Sequence, residues 1–541
     1  MKLSRILAVA LSLATVAWMF AQVQQNATAP SLDALFPQGP ALYVEAKDLA
    51  ASLRDWNASP EKAAWLKSDN YTVFSRTRLF MRLQEVQGEW QGVTGFSPDY
   101  PFAVSIAGTE SALAIYDIGK LEFLYVSKLP DARVIASALG AQRSAYETRT
   151  VAGQNYYLKE NRSNGKAVAY ASAGGYLFLA TREDLLAQAL SLLATRQGAS
   201  LKTEPWYADA AASAKAKGEF RLAMNMPLLL ASPQFRSYWV QRNTAEFRQY
   251  RAGIADVFRD ASGIREERVF LRESPSDDKR PSESAVARVL AIVPPDAGFH
   301  RAWAMPSRDE VRAVVSEKLI QPGADSAPAE YAPMAVTDPG QTGSEVDLEI
   351  AIDEPPLIRS GPSAEALTQL LAKHRVDAML QAQTSRVLAD GVFVRTPVTV
   401  VLLSSTAWDE NALRVAVPGA FVTVRGEIAV LSDEQALHNA VVSRLSTKPA
   451  NALGTYVAEL RKGQELAPYI RMMTLIDAAR SPGDAAPSEP TGPEGRDPKF
   501  FSENVASLAR SLDRIDQIRF VARDEGSRVP QTVTYQFRSV R

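Results

Sequence analysis

No cysteine occurs anywhere in these 541 residues. That one absence excludes disulfides, thiolate metal sites, cysteine nucleophiles and a lipid-modified N-terminal cysteine. Histidine is scarce. His300, His374 and His438 are the whole set, and none has a second histidine or a carboxylate in a metal-binding spacing, so no metal and no cofactor are expected. Excess charge of either sign is missing too: 60 basic residues stand against 61 acidic ones, for a net charge of −1. Such a balance gives no general pull toward nucleic acid or an anionic membrane surface. Neither G-x-S-x-G nor a P-loop appears, so no ready-made nucleophile elbow or phosphate cradle is present.

Only one long apolar run exists, "ILAVALSLATVAWMF" from Ile6 to Phe20, and Lys2 and Arg5 precede it. A short basic region followed by such a run reads as an export signal, cleaved after Ala21 or retained as an N-terminal anchor. Residues 1–21 are therefore set apart, and the rest is expected in the periplasm or cell envelope. Membrane contact would come only through that segment, if it stays uncleaved. With 46% apolar and 22% charged residues the remainder has a globular composition. A chain of this length exceeds one ordinary core, so two or more domains are expected.

The stretch "GGYLFLATREDLLAQAL" from Gly174 and the stretch "RGEIAVLSDEQALHNAV" from Arg425 share a rhythm. With Gly175 laid over Gly426, Leu179 falls on Val430, Thr181 on Ser432 and Leu186 on Leu437. Each reads as a strand, a hydroxyl N-cap and an amphipathic helix, with Thr181/Asp184 and Ser432/Gln435 as capping boxes. Two further blocks follow in the same order. "LAMNMPLLLASPQFRSYW" lies over "LGTYVAELRKGQELAPYI", and Ile254, Ile264 and Arg272 lie over Val505, Ile515 and Arg523. The openings "LFPQGPALYV" (Leu35) and "IVPPDAGFHR" (Ile292) also match, each ahead of a helix pattern, Pro60 to Gln91 and Ala364 to Ala389. A hairpin in the first copy only, "NYYLKENR" and "KAVAYAS", is expected to turn tightly at Asn164-Gly165.

Grouped strands predict an α+β fold made of two related lobes from an internal duplication, 30–291 and 292–541. Antiparallel sheets with helices packed on one side are expected. The Pro/Gly-rich segments 321–345 and 481–498 are expected to be mobile. The Phe36-Pro37 to Val44 opening and the Gly174 to Leu190 block resemble an uncharacterised family of exported bacterial envelope proteins. That family carries an "lP.dt.lyv" strand and a "gg.lvla.....l..al" segment. The resemblance implies an envelope location and supplies no catalytic residues.

The search for chemistry ends without a constellation. "SPEKAAWLKSDN" contains S-x-x-K (Ser59, Lys62) and S-D-N (Ser68, Asp69, Asn70), two signatures of penicillin-binding enzymes. Their spacing puts both in one local segment and K-T-G is absent, so the strings read as coincidence. The adjacent acids Glu266-Glu267 and Asp524-Glu525 sit in strand-like segments, which points each pair to opposite faces. In "FRSYWVQRNTAEFRQYRAG", Arg236, Tyr238, Trp239, Arg242 and Arg248 form the one candidate interaction surface. There Phe235, Trp239, Phe247, Tyr250, Ile254 and Val257 also fit one helical stripe, which reads as a core-facing helix. The expectation is a non-enzymatic exported envelope protein with a binding or scaffolding role, its partner another envelope protein. The alternatives are a hydrolase of a cell-wall or extracellular polymer, or a membrane-anchored subunit.

Overall fold

The computed structural model describes residues 30–66, 78–238, 247–275, 282–320, 361–384, 397–449, 453–461 and 515–538, with a few isolated positions between them. The expected signal (1–21), both Pro/Gly-rich segments (321–345 and 481–498) and the S-D-N string lie outside the described residues.

The strands begin with β1 (Leu42–Lys47), β2 (Glu110–Asp117), β3 (Glu122–Lys128), β4 (Glu147–Val151) and β5 (Gln154–Asn161). Next come β6 (Lys166–Ala173), β7 (Tyr176–Ala180), β8 (Phe220–Asn225), β9 (Tyr250–Asp260) and β10 (Gly263–Arg272). Then follow β11 (Phe299–Ala304), β12 (Val376–Gln383), β13 (Arg386–Val387), β14 (Val394–Arg395) and β15 (Val398–Ser404). The last are β16 (Phe421–Arg425), β17 (Ile428–Ser432), β18 (Tyr456–Arg461), β19 (Ile515–Ala522) and β20 (Arg528–Phe537). The helices used below are α1 (Leu49–Ala58), α2 (Pro60–Leu66), α3 (Arg78–Thr94), α4 (Glu183–Thr195) and α5 (Pro233–Tyr238). To these are added α6 (Glu283–Leu290), α7 (Arg308–Lys318), α8 (Pro362–Lys373), α9 (Glu410–Ala416) and α10 (Gln435–Val442).

The chain forms two compact units, residues 1–40 with 89–208, and residues 41–88 with 209–541. The first unit holds a six-strand antiparallel run, β2–β3–β7–β6–β5–β4. Gly174 and Gly175 take φ of +60° and +80° in the two-residue turn between β6 and β7, where Ala173 pairs with Tyr176. Positive φ at both turn positions is the conformation that glycine adopts without a Cβ penalty. β7 is buried at every position, and α4 sets Leu185, Leu186, Ala189 and Leu190 into the same core. The second unit holds a twelve-strand antiparallel run, β1–β8–β9–β10–β20–β19–β18–β11–β12–β15–β17–β16. A separate pair, β13–β14, stands outside it.

The α+β class holds, with about equal helix and strand, but the helices are not confined to one side. Trp303, Met379, Val400, Leu402 and Leu431 face a core completed by Val311 and Val315 of α7, Leu367 and Leu371 of α8, and Leu413 of α9. The alternating residues Ala302, Leu380, Val401, Val430 and Val457 face a second core with Val286 and Val289 of α6 and Val441 of α10. Central strands clothed on both faces need apolar residues at every position, and Val398–Ser404 is buried throughout.

Several local expectations are corrected. The capping boxes are absent: α4 and α10 are capped at Arg182 and Glu434 with no side-chain bond. Thr181 Oγ1 instead accepts from Phe123 N at 2.9 Å, and Ser432 Oγ donates to Val398 O at 2.9 Å, so both hydroxyls tie down the neighbouring strand. The Asn164-Gly165 turn is a longer loop, with Asn161 pairing Lys166. Asn161 Oδ1 accepts from Ser163 N and Oγ, which starts the turn early. The pattern from Pro60 to Gln91 divides into α2 and α3. The pattern from Ala364 to Ala389 is helix only to Lys373, after which β12 pairs on both sides and overrides its Ala, Leu, Met and Gln content. The single helical stripe from Phe235 to Val257 does not form either, because Tyr250, Ile254 and Val257 lie in β9.

Candidate functional site

Where β9 and β10 meet β20 and β19, the second unit carries a groove of about 370 Å³. Its position follows from register. Asp256 of β9 lies opposite Glu267 of β10, Glu267 opposite Thr532 of β20, and Thr532 opposite Val521 of β19. Residues directly opposite in an antiparallel sheet share a face, so this row lines one surface, with Val269 and Pro530 forming the next row. A volume near the lower end of small-ligand sites, lined by both apolar and charged side chains, suits recognition of a modest group.

The groove's acids are already engaged. Asp256, 1% exposed, accepts from Arg221 Nε and Nη2 at 2.9 Å each and from Gly218 N at 3.0 Å. Glu267 is paired with Arg265, and Glu525 with Arg528 at 2.5 Å. Just beyond, Arg272 at the end of β10 makes a bidentate pair with Asp524, at 2.5 and 2.7 Å. Burial alone would raise the Asp524 carboxyl, and the Arg272 guanidinium outweighs it and holds the carboxyl below its ordinary range. The cations at the rim are less constrained: Lys215 is exposed, and Arg523 reaches Leu453 O at 3.2 Å and Glu283 at 3.5 Å.

A second charged cluster lies along β11, β18 and β19. Buried His300 stands opposite Glu459, which stands opposite Arg519. Glu459 accepts from Arg461 at 2.6 Å and Arg519 at 2.8 Å. Burial pushes Glu459 up, but the two guanidinium groups prevail and keep it below the usual carboxylate range. Burial pushes the His300 imidazole down to about 4, with Glu459 opposing, so the ring is neutral at pH 7.

The other histidines are structural. His374 stacks on Trp408 with ring centroids 4.4 Å apart and meets Thr406 Oγ1 at 2.9 Å. His438 is 6% exposed, its Nε2 is 2.8 Å from Thr423 Oγ1, and burial lowers its pKa. Among the described residues, no group of three or more His, Asp or Glu side chains is arranged to hold a metal ion. Ser59 Oγ accepts from Lys62 N at 3.1 Å while Lys62 Nζ goes to Asn57, so the S-x-x-K hydroxyl caps α2.

The sequence-derived interaction surface lies only partly within the described residues. Arg248 is exposed in the turn before β9, Arg236 and Tyr238 belong to α5, and Trp239 and Arg242 lie outside the described residues. The groove itself went unnoticed because its walls lie far apart in the chain. One signal was available. In "REER" (Arg265 to Arg268) each charge meets its opposite two residues away on the same face: Arg265 with Glu267, Glu266 with Arg268. Glu266 and Glu267 do face opposite ways, whereas Asp524 and Glu525 follow the end of β19.

No protein-family model matches the chain, and no curated protein is found similar to it. Solved structures of TP0453 are similar over part of it. Crystal form I is 12% identical, covering 46% of this chain and 82% of that one with a TM-score of 0.25. Crystal form III is 13% identical, covering 48% and 86% with a TM-score of 0.24. Scores so low carry no argument about shape or activity.

Proposed function

We propose that this chain is a non-enzymatic exported protein of the cell envelope that binds or scaffolds another envelope component. The groove at the β10–β20 junction is the observation that carries the reading. Its carboxylates are each held by an arginine, an arrangement suited to shape and charge recognition rather than to proton transfer. Export rests on the Lys2, Arg5 and Ile6 to Phe20 pattern, and the resemblance to exported envelope proteins belongs to the same reading.

The duplication is part of this proposal, and the pairing order supports it. β1–β8–β9–β10 and β11–β18–β19–β20 run in like order, as do β3–β7–β6 and β15–β17–β16. The likeness reaches single bonds. Thr181 N donates to Phe123 O and Thr181 Oγ1 accepts from Phe123 N; Asp433 N donates to Val398 O and Asp433 Oδ1 accepts from Val398 N. These equivalences shift the alignment by one residue, laying Gly174 over Gly426 and Leu186 over His438. In the later blocks Ala223 falls on Glu459 and Ile254 on Arg519, given that Tyr43 lies over His300. The groove then forms where the last strands of the two copies join.

The test combines fractionation of the native cell with crosslinked pull-down of the wild-type chain and an Arg523→Glu, Thr532→Glu variant. The expected outcome is an envelope fraction and a partner recovered by the wild type alone. Full-length protein in the cytosol would end the export reading. A partner retained equally by both chains would remove the groove from it.

A further inference from the structure

At one end of the twelve-strand run, β16 pairs with β17 alone among the described residues. Arg425 pairs with Ile428 across a two-residue turn, so Phe421, Thr423 and Arg425 direct their backbone groups toward β17. Val422 and Val424 direct theirs outward. An outward row of N–H and C=O groups on a strand rich in Phe, Val and Thr is a ready template for another strand. Here two of those groups are met by side chains of α9. Glu410 Oε2 accepts from Val424 N at 3.2 Å, and Arg414 Nη2 donates to Val422 O at 2.8 Å. The two side chains are themselves ion-paired at 2.7 Å, one helical turn apart. They present an acceptor and a donor where the backbone of a neighbouring strand would present the same.

We propose that the outer edge of β16 is a strand-pairing surface for a second copy of this chain, kept closed by the Glu410–Arg414 pair. A second copy fits because the edge is self-complementary. With a two-fold axis at Thr423, Val422 of one copy lies opposite Val424 of the other. Both residues expose N–H and C=O on that side, so four hydrogen bonds form in an isologous antiparallel pair. The two groups that the guard occupies are among the four that such a pair needs. Monomer and dimer therefore exclude each other at this edge.

Sedimentation equilibrium on the whole chain tests this, comparing wild type with a Glu410→Ala, Arg414→Ala variant. Alanine keeps the helix favourable, so α9 is expected to persist. The double variant should self-associate at least tenfold more tightly than wild type. Adding Val424→Pro, which removes an outward N–H and is tolerated on an edge strand, should return it to the wild-type state. Hydrogen exchange gives a second readout: the Val422 and Val424 amides should gain protection in the double variant as its concentration rises. Should the double variant fail to fold, Arg414→Gln alone should show the same change at smaller size. A folded variant that associates no more than wild type overturns the proposal. So does a dimer that survives Val424→Pro or leaves those amides unprotected.

Discussion

Replacing Arg221 should be far more costly than its position near a strand end suggests, because of what it leaves behind. The Asp256 side chain is 2% exposed and the Arg221 side chain 11%. Arg221 supplies two of the carboxylate's three hydrogen bonds, and Gly218 N supplies the third. In Arg221→Met the apolar stem is retained while the carboxylate keeps a single donor in a site closed to water. Breaking a buried pair by removing one partner costs about 3–5 kcal/mol, since the remaining charge is uncompensated. Replacing both, as in Arg221→Met with Asp256→Leu, removes the stranded charge and should recover most of that loss, leaving about 1–3 kcal/mol for the buried Gly218 N–H that has lost its acceptor. A chain with two compact units is not expected to unfold in one step, so a single melting curve is the wrong assay. Native-state hydrogen exchange of the β9 amides reads the local opening free energy directly. A loss below about 1 kcal/mol in Arg221→Met would refute the reasoning, as would a double variant as damaged as the single.

The His300 imidazole, pushed down by burial to about 4, should make stability fall in mild acid. Between its ordinary value of about 6.5 and about 4 the unfolded chain binds a proton that the native ring does not, so stability present above pH 6.5 is lost as pH drops through that window. The loss should be on the order of 3 kcal/mol. It should vanish in His300→Gln, and parallel wild-type and variant pH profiles would contradict it. Glu459, held low, gives up its contribution only at more acid pH. His438 is buried with Nδ1 unpartnered. His438→Ala should therefore cost about 2–3 kcal/mol, while His438→Leu with Thr423→Val should stay within about 1 kcal/mol of wild type. An alanine variant whose α10 amides exchange as slowly as those of wild type would show that the ring packs loosely.

What could be read in advance, and what could not, follows from where each element is buried. The strand-then-helix rhythm after Gly174 and Gly426 was legible because Leu179, Val430, Leu186 and Leu437 are all core residues, at most 3% exposed. The one-residue shift between them that the proposed duplication requires leaves no trace in the sequence for the same reason. Shifting a strand by one residue exchanges its faces, which betrays itself only when one face is polar. β7 is buried at all five positions and β17 at four, so either register matches apolar on apolar. Helix starts were misplaced by hydroxyls that look like caps but serve a neighbouring strand, a long-range bond that no local spacing announces. β12 was missed because residues that favour helices in isolation are held between β11 and β15 by partners distant in the chain. The groove belongs to the same class. Ser213, Asp256, Glu267, Leu453 and Thr532 become neighbours only once β10 has found β20. Its location was therefore set by a contact between the two halves, which is the step that a reading of each half on its own cannot take.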